Sequence, residues 1–183
     1  VRENCAVRQV NLHHNCAMST YLFLPMTEEY AALISHWKYD EPYSVYSMDG
    51  SKECITELLN CEYYYALHEQ NGLFGYVCKG ESARVPGGYG AGIYNDSIYV
   101  DIGLGLRPDI TGQGKGLEFL ILCMHFLREQ FNIHHFRLVV ASFNERAIKV
   151  YERAGFVKGI TFQSNVDGQD MDFTVMRYTY STT

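Results

Sequence analysis

The run from Ile98 to Leu127 constrains this chain more than any other: an alternating apolar stretch passes through a glycine-rich turn into an amphipathic one. Ile98, Val100, Ile102, Leu104 and Leu106 alternate with Tyr99, Asp101, Gly103, Gly105 and Arg107, a period of two that predicts a strand with one apolar face. On the other face two side chains are missing between an aspartate and an arginine. Glycine gives up contacts and costs unfolded-state entropy, so this pair predicts a bulge or a close approach by something else. Pro108 has no N–H to offer a neighbouring strand and ends the pairing. After Thr111-Gly112-Gln113-Gly114-Lys115-Gly116, the residues Leu117, Leu120, Ile121, Met124 and Leu127 fall three and four apart, the stripe of a helix.

The turn between these segments has a chemical reading. Three glycines at alternate positions remove Cβ atoms and leave amides accessible, next to the first N–H groups of a helix and the positive end of its dipole. An anion such as a phosphate suits that place. Close packing of strand on helix is the other use of such glycines. Two familiar phosphate patterns do not fit. A Walker turn needs Ser or Thr after Gly-Lys to hold magnesium, and Gly116 follows Lys115; a dinucleotide fingerprint needs G-x-G-x-x-G, and the spacing here is two throughout.

A chain of 183 residues with 47% hydrophobic content is expected to make one domain with a two- or three-layer core. The formal charge of −6, with basic residues scattered, excludes nucleic acid as an expected partner. No apolar run reaches the roughly 18 residues of a membrane span, so no membrane is expected either. The stretch from Val1 to Cys16 is polar and does not read as a secretory signal. None of the six cysteines makes a CxxC pair, and their number is too low for a disulfide scaffold, so a reduced, cytoplasmic protein is expected, with Cys78 and Cys123 as small core residues. The pairs His13-His14 and His134-His135 lack companions at metal-binding spacing, and no metal is expected. Tyrosines cluster at Tyr39, Tyr43 and Tyr46 and at Tyr63, Tyr64 and Tyr65, where a large ring with a polar tip suits a core edge or a ligand wall.

Taken in order, residues 1–19 show no steady period and read as an N-terminal arm or an expression remnant, with Met18 as a candidate original start; the domain is expected over 20–183. A strand is predicted at Tyr21 to Leu24. Helices capped by Thr27 and Ser51 follow, then strands at Tyr64 to His68 and Leu73 to Gly80 joined by an Asn71-Gly72 hairpin turn. Ser82 to Asp96 reads as a loop. Beyond the long helix, His135 to Ala141 is an apolar strand that should lie parallel to the Ile98–Leu106 strand after a helical crossover. Ser142 or Asn144 caps the next helix, Gly155 ends it, and Phe156 to Gln163 and Met171 to Tyr180 form a hairpin around Asp167-Gly168. The fold class is α+β: a mixed, mostly antiparallel central sheet with helices on both faces.

At this point the chain resembles the GNAT superfamily of acyl-CoA-dependent N-acyltransferases. Thr111 to Gly116 aligns with the family's R/Q-x-x-G-x-G/A turn, and Asn144 to Phe156 matches its N-x-x-A-x-x-x-Y-x-x-x-G-F segment. Asp101-Ile102-Gly103 and Tyr151 to Phe156 look like the ribosomal-protein-alanine acetyltransferase branch. One departure is Thr111, where the family carries Arg or Gln; Lys115 is expected to supply the positive charge instead.

The resemblance implies acetyl-CoA as co-substrate, with its pyrophosphate over the amides of Thr111, Gly112, Gln113, Gly114, Lys115, Gly116 and Leu117. Its arm would run between two splayed parallel strands, along Leu104, Gly105 and Leu106, where the glycine gap leaves room. Asn144 and Ala147 would tie it to the next helix, although a plain helix cap is the other reading of Asn144. Asp101 is expected to take the amine's proton through water, with a surface salt bridge as its alternative. Tyr151 would protonate the leaving sulfur. Trp37, Tyr39, Tyr43 and Tyr46, with the 82–96 loop, are expected to wall the acceptor, a primary amine on a protein N-terminus or a small molecule. A homodimer is allowed, and nothing in the sequence fixes it. A non-catalytic acyl-CoA-binding or regulatory module is the competing reading.

Overall fold

The tyrosine run at 63–65 is divided by the pleat of a strand: Tyr64 and Ala66 enter one core, Tyr63 and Tyr65 another on the opposite face. The computed structural model describes residues 10–13 and 20–181. In chain order these form β1 (Val10–His13), β2 (Thr20–Pro25), α1 (Glu28–Ile34), α2 (Lys52–Leu58), β3 (Tyr63–His68), β4 (Gly72–Lys79), α3 (Gly87–Gly90), β5 (Val100–Leu106), α4 (Gly116–Phe131), β6 (Phe136–Ala141), α5 (Glu145–Arg153), β7 (Val157–Val166) and β8 (Gln169–Tyr178).

The strands lie in one sheet of order β1-β2-β3-β4-β5-β6-β8-β7. Every neighbouring pair is antiparallel except β5 and β6, which run parallel. That parallel pair is registered only at Val100↔Phe136 and Asp101↔Arg137, with Val100 N–H donating to the His135 carbonyl at 3.0 Å. Beyond these two steps the strands part, and the sheet opens as a wedge.

Burial follows the alternation. Phe119, Leu120, Cys123, Phe126 and Leu127 of α4 pack on Phe23, Tyr64, Phe74, Val77 and Ile102, joined by Ile148 of α5. On the other face α1 and α2 cover Tyr63, Tyr65 and Cys78 with Ala31, Ile34 and Leu58. A third cluster, Ile93 with Ala141, Phe162, Phe173 and Val175, lies under the 82–96 segment. Local signals place the elements: the hydroxyls of Thr27 and Ser51 accept from the Tyr30 and Cys54 N–H groups at 3.4 and 3.0 Å, and Asp167 and Gly168 both take positive φ in the β7–β8 turn.

Three expectations are corrected. Val10–His13, assigned to the arm, pairs with β2 as the edge of the sheet; residues 1–9 and 14–19 lie outside the described residues. The loop expected at 82–96 contains the short helix α3, preceded by a 3-10 turn at Gly80–Ala83. Cys61 is disulfide-bonded, against the reduced state expected of all six cysteines. Cys78 and Cys123 are buried free thiols. No helix among the described residues is long and apolar enough to cross a membrane.

Candidate active site

The wedge between β5 and β6 is framed by the 111–116 turn, α5, and a loop that spans Tyr39 to Ser47. Gly112 and Gly114 hold φ of +76° and +75°, a region that strains any residue with a Cβ. A Cβ at Gly114 would meet nothing within 4 Å, so the turn opens outward there. The Thr111 hydroxyl donates to the Pro108 carbonyl at 2.7 Å and the Gln113 amide to the Asp109 carbonyl at 2.7 Å, which turns both polar side chains back on their own loop. The N–H groups of Gly112 to Gly116 donate to no protein acceptor among the described residues. Exposed, unpaired amides ahead of a 16-residue helix fit a diphosphate.

Helix α5 forms the far side. Its cap is Asn144: the side-chain carbonyl accepts from Ala147 N–H at 3.1 Å while the amide donates to the Tyr46 hydroxyl at 3.2 Å. The choice between Ser142 and Asn144 as cap is thereby settled. Val150 reaches within 3.6 Å of the place a Cβ on Gly116 would take, so α5 leans on the start of α4. The Tyr151 ring is tilted against Phe156, with centroids 6.1 Å apart, and its hydroxyl is bonded to no group among the described residues. Burial raises its pKa well above the ordinary tyrosine value, and Tyr46 and Cys123 add to the effect. The phenol therefore keeps its proton at neutral pH. The neighbouring Cys123 thiol is pushed up by burial too and offers no thiolate nucleophile.

The Tyr39–Ser47 loop is pinned at its base, where Met48 N–H donates to the Trp37 carbonyl at 3.0 Å and Tyr39 N–H to Ser47 Oγ at 2.8 Å. From that base it touches both arms of the wedge. The Tyr39 hydroxyl donates to the Leu106 carbonyl of β5 at 2.7 Å, and Tyr46 meets Asn144 on the β6 side. Tyr43 and Tyr46 both face Phe143, with ring centroids 6.2 and 6.5 Å apart. Phe143 is an exposed aromatic that the sequence reading missed; a large ring just ahead of a helix cap, facing a tyrosine-rich loop, is the signal that marks it.

Five expected placements differ. Asp101 is 3% exposed, and both its carboxylate oxygens are taken: Arg137 Nε and Nη2 reach them at 2.6 and 2.9 Å, and Arg84 Nε at 2.8 Å. It sits opposite Arg137, where the strands are still joined, so it suits a buried ion cluster and not a proton acceptor in the wedge. Arg137, 0% exposed, also donates to the Ile93 and Asp96 carbonyls at 2.5 and 3.1 Å and fastens the 82–96 segment over the sheet instead of leaving it to the acceptor. Trp37 is buried in the α1–α2 core against Tyr76 and forms no wall. The glycine gap is filled from within: a Cβ on Gly105 would stand 2.4 Å from the Tyr76 ring and one on Gly103 3.0 Å from Cys78 Sγ, both on β4. Lys115 points to no partner in the turn, whereas Arg146 comes within 3.3 Å of a Cβ built on Gly112.

The fold is that of the class to which the sequence pointed, an acetyltransferase domain. The chain belongs to the acetyltransferase (GNAT) domain family, whose profile matches residues 22–157. No curated protein matches it. Among solved structures it is similar to a GNAT-family acetyltransferase from Bacillus anthracis (11% identity, 94% of this chain and 97% of that one, TM-score 0.65). It is also similar to a Salmonella typhimurium protein solved with its cofactor acetyl-CoA (16%, 89% and 95%, TM-score 0.60) and to the ribosomal-protein-S5-alanine acetyltransferase of Vibrio fischeri (15%, 94% and 96%, TM-score 0.58).

Proposed function

We propose that the chain transfers an acetyl group from acetyl-CoA to a primary amine, on a protein N-terminus or a small molecule, by direct attack of the amine on the thioester. The observation that carries this reading is the wedge itself: parallel strands that part after two residue pairs, with open glycine amides at one end and an unbonded Tyr151 hydroxyl on the helix beside them. Acetyl-CoA supplies the activated acyl group. The Thr111 N–H is spent on the Pro108 carbonyl, so the amides from Gly112 to Leu117 would seat its diphosphate, and the backbone from Leu104 to Leu106, with Asn144 and Ala147 at the head of α5, would align its arm. The Leu106 carbonyl already accepts from Tyr39, so arm and acceptor wall share one stretch of backbone.

The chemistry balances simply. The neutral amine forms the N–C bond as the C–S bond breaks; nitrogen loses a proton to water, and the leaving sulfur gains one from Tyr151, which is replenished from solvent. With Asp101 held by two guanidinium groups, water carries the first proton away and no carboxylate in the wedge is required. Tyr39, Tyr43, Tyr46 and Phe143 would wall the acceptor. A cytoplasmic setting remains part of the proposal, and the Cys61 disulfide is the observation against it, since disulfides are rare in reducing compartments.

Calorimetric titration with acetyl-CoA, CoA and ATP, followed by thiol release over a panel of amines, tests the reading. Binding of both CoA forms with turnover on at least one amine is expected. CoA binding with no turnover on any amine supports the non-catalytic module instead, and ATP binding alone discards both. Gly114→Val, at a positive φ in the open turn, should weaken CoA binding while leaving the sheet intact.

A further inference from the structure

We propose that Arg146 is the guanidinium that grips the diphosphate of the acyl-CoA; the inference rests on the acyl-CoA reading above. The first position of the turn carries a short side chain, Thr111. Thr111 spends its hydroxyl on the Pro108 carbonyl, and Lys115 has no hydrogen bond or ion pair among the described residues to hold it over the amides. Arg146 approaches from across the turn. Its Nη1 lies 3.3 Å from the position of a Cβ on Gly112, so the guanidinium stands directly against the positive-φ glycine where the open amides begin.

Two further contacts fix that pose. The Arg146 Cζ lies 4.2 Å from the centroid of the Tyr43 ring, so one face of the guanidinium is covered by an aromatic surface and its N–H edge stays free. Val150, one helical turn onward, packs against Gly116, which keeps this side of α5 along the whole turn. No carboxylate pairs with Arg146 among the described residues, although the chain carries more acidic than basic groups. A planar, exposed cation beside a row of unpaired amides matches the paired oxygens of a diphosphate, which a guanidinium engages through two parallel N–H donors.

The test is calorimetric titration of the parent, Arg146→Ala and Arg146→Lys with CoA and with dephospho-CoA, which keeps the diphosphate and lacks the 3′-phosphate. The parent should bind both ligands. Arg146→Ala should weaken both by about tenfold, with Arg146→Lys between and the deficit shrinking as salt rises. Because Arg146 is exposed, the thermal midpoint without ligand should be unchanged, while the rise in midpoint on adding CoA should be smaller than the parent's. Equal affinities in parent and variants overturn the proposal and leave the acyl-CoA reading standing. So does a loss confined to CoA, which puts the guanidinium at the 3′-phosphate. A parent that binds neither ligand overturns the acyl-CoA reading and this proposal with it.

Discussion

Tyr151 and Asp101 looked equally chemical as letters, and the folded chain separates them. Tyr151 has a hydroxyl with no partner among the described residues and a pKa raised by burial, so it can stand ready as an acid. Tyr151→Phe should lower kcat by about a hundredfold while the affinity for CoA stays within about twofold, measured by steady-state kinetics beside calorimetry. Asp101 has no free oxygen. Asp101→Ala would strand Arg137 without a counter-charge in the core, which should cost about 3–5 kcal/mol in urea unfolding. The folded fraction of that variant should keep the parent's kcat; loss of activity with unchanged stability would restore Asp101 to the chemistry. The sequence showed an acid on the glycine-bearing side of a strand, but the two arginines that claim it lie 17 residues before it and 36 after, and only the fold brings them together.

At the scale of elements, local signals were legible and cross-strand ones were not. Thr27, Ser51, Asn144 and Gly155 mark their helix ends because caps and left-handed residues act within a single turn of chain. The glycines of β5 announce a close approach, but what approaches them is not legible, for the complementary reason. Their use depends on register with β4, where Gly105 faces Tyr76 and Gly103 faces Cys78, and no one strand states its partner's register. A side chain added at Gly105 would collide with the Tyr76 ring, so Gly105→Ala should destabilise the protein by about 1–3 kcal/mol. Tyr76→Ala costs stability by itself through the lost ring, but in the double variant the two penalties should fall short of their sum. A double-mutant cycle from urea midpoints measures that coupling, and strict additivity would mean the ring is not what the glycine makes room for.

Across the whole molecule, tyrosine burial sets a pH limit. Burial raises the pKa values of Tyr39, Tyr46, Tyr63, Tyr64, Tyr76 and Tyr151 above the ordinary value of 10.0. Above about pH 10 the unfolded chain loses these protons and the folded one keeps them. The unfolded state then binds fewer protons, and stability must fall as pH rises. Urea midpoints should be flat from neutrality to about pH 9 and drop beyond about pH 10, with the buried tyrosines ionising only together with unfolding; tyrosinate absorbance from all the tyrosines in a still-folded protein would contradict it. The α+β layering and the order of elements could be read along the chain, because alternation and helical stripes report which face is buried. The Tyr39–Ser47 bridge over the wedge could not, since it rests on single hydrogen bonds to Leu106 and Asn144 from residues far away in sequence.

Helix α5 has a consequence for how the chain tolerates changes in length. Asn144, Arg146, Ala147, Val150 and Tyr151 all depend on the same two turns of backbone, clamped at the start by the Asn144 cap and at the end by Phe156 N–H on the Tyr151 carbonyl. One residue inserted between Asn144 and Tyr151 would swing every later side chain through about 100° around the axis, carrying the phenol away from the wedge while leaving each amino acid in place. In this segment spacing is as much a chemical specification as identity, and a deletion there should be as damaging as the loss of Tyr151.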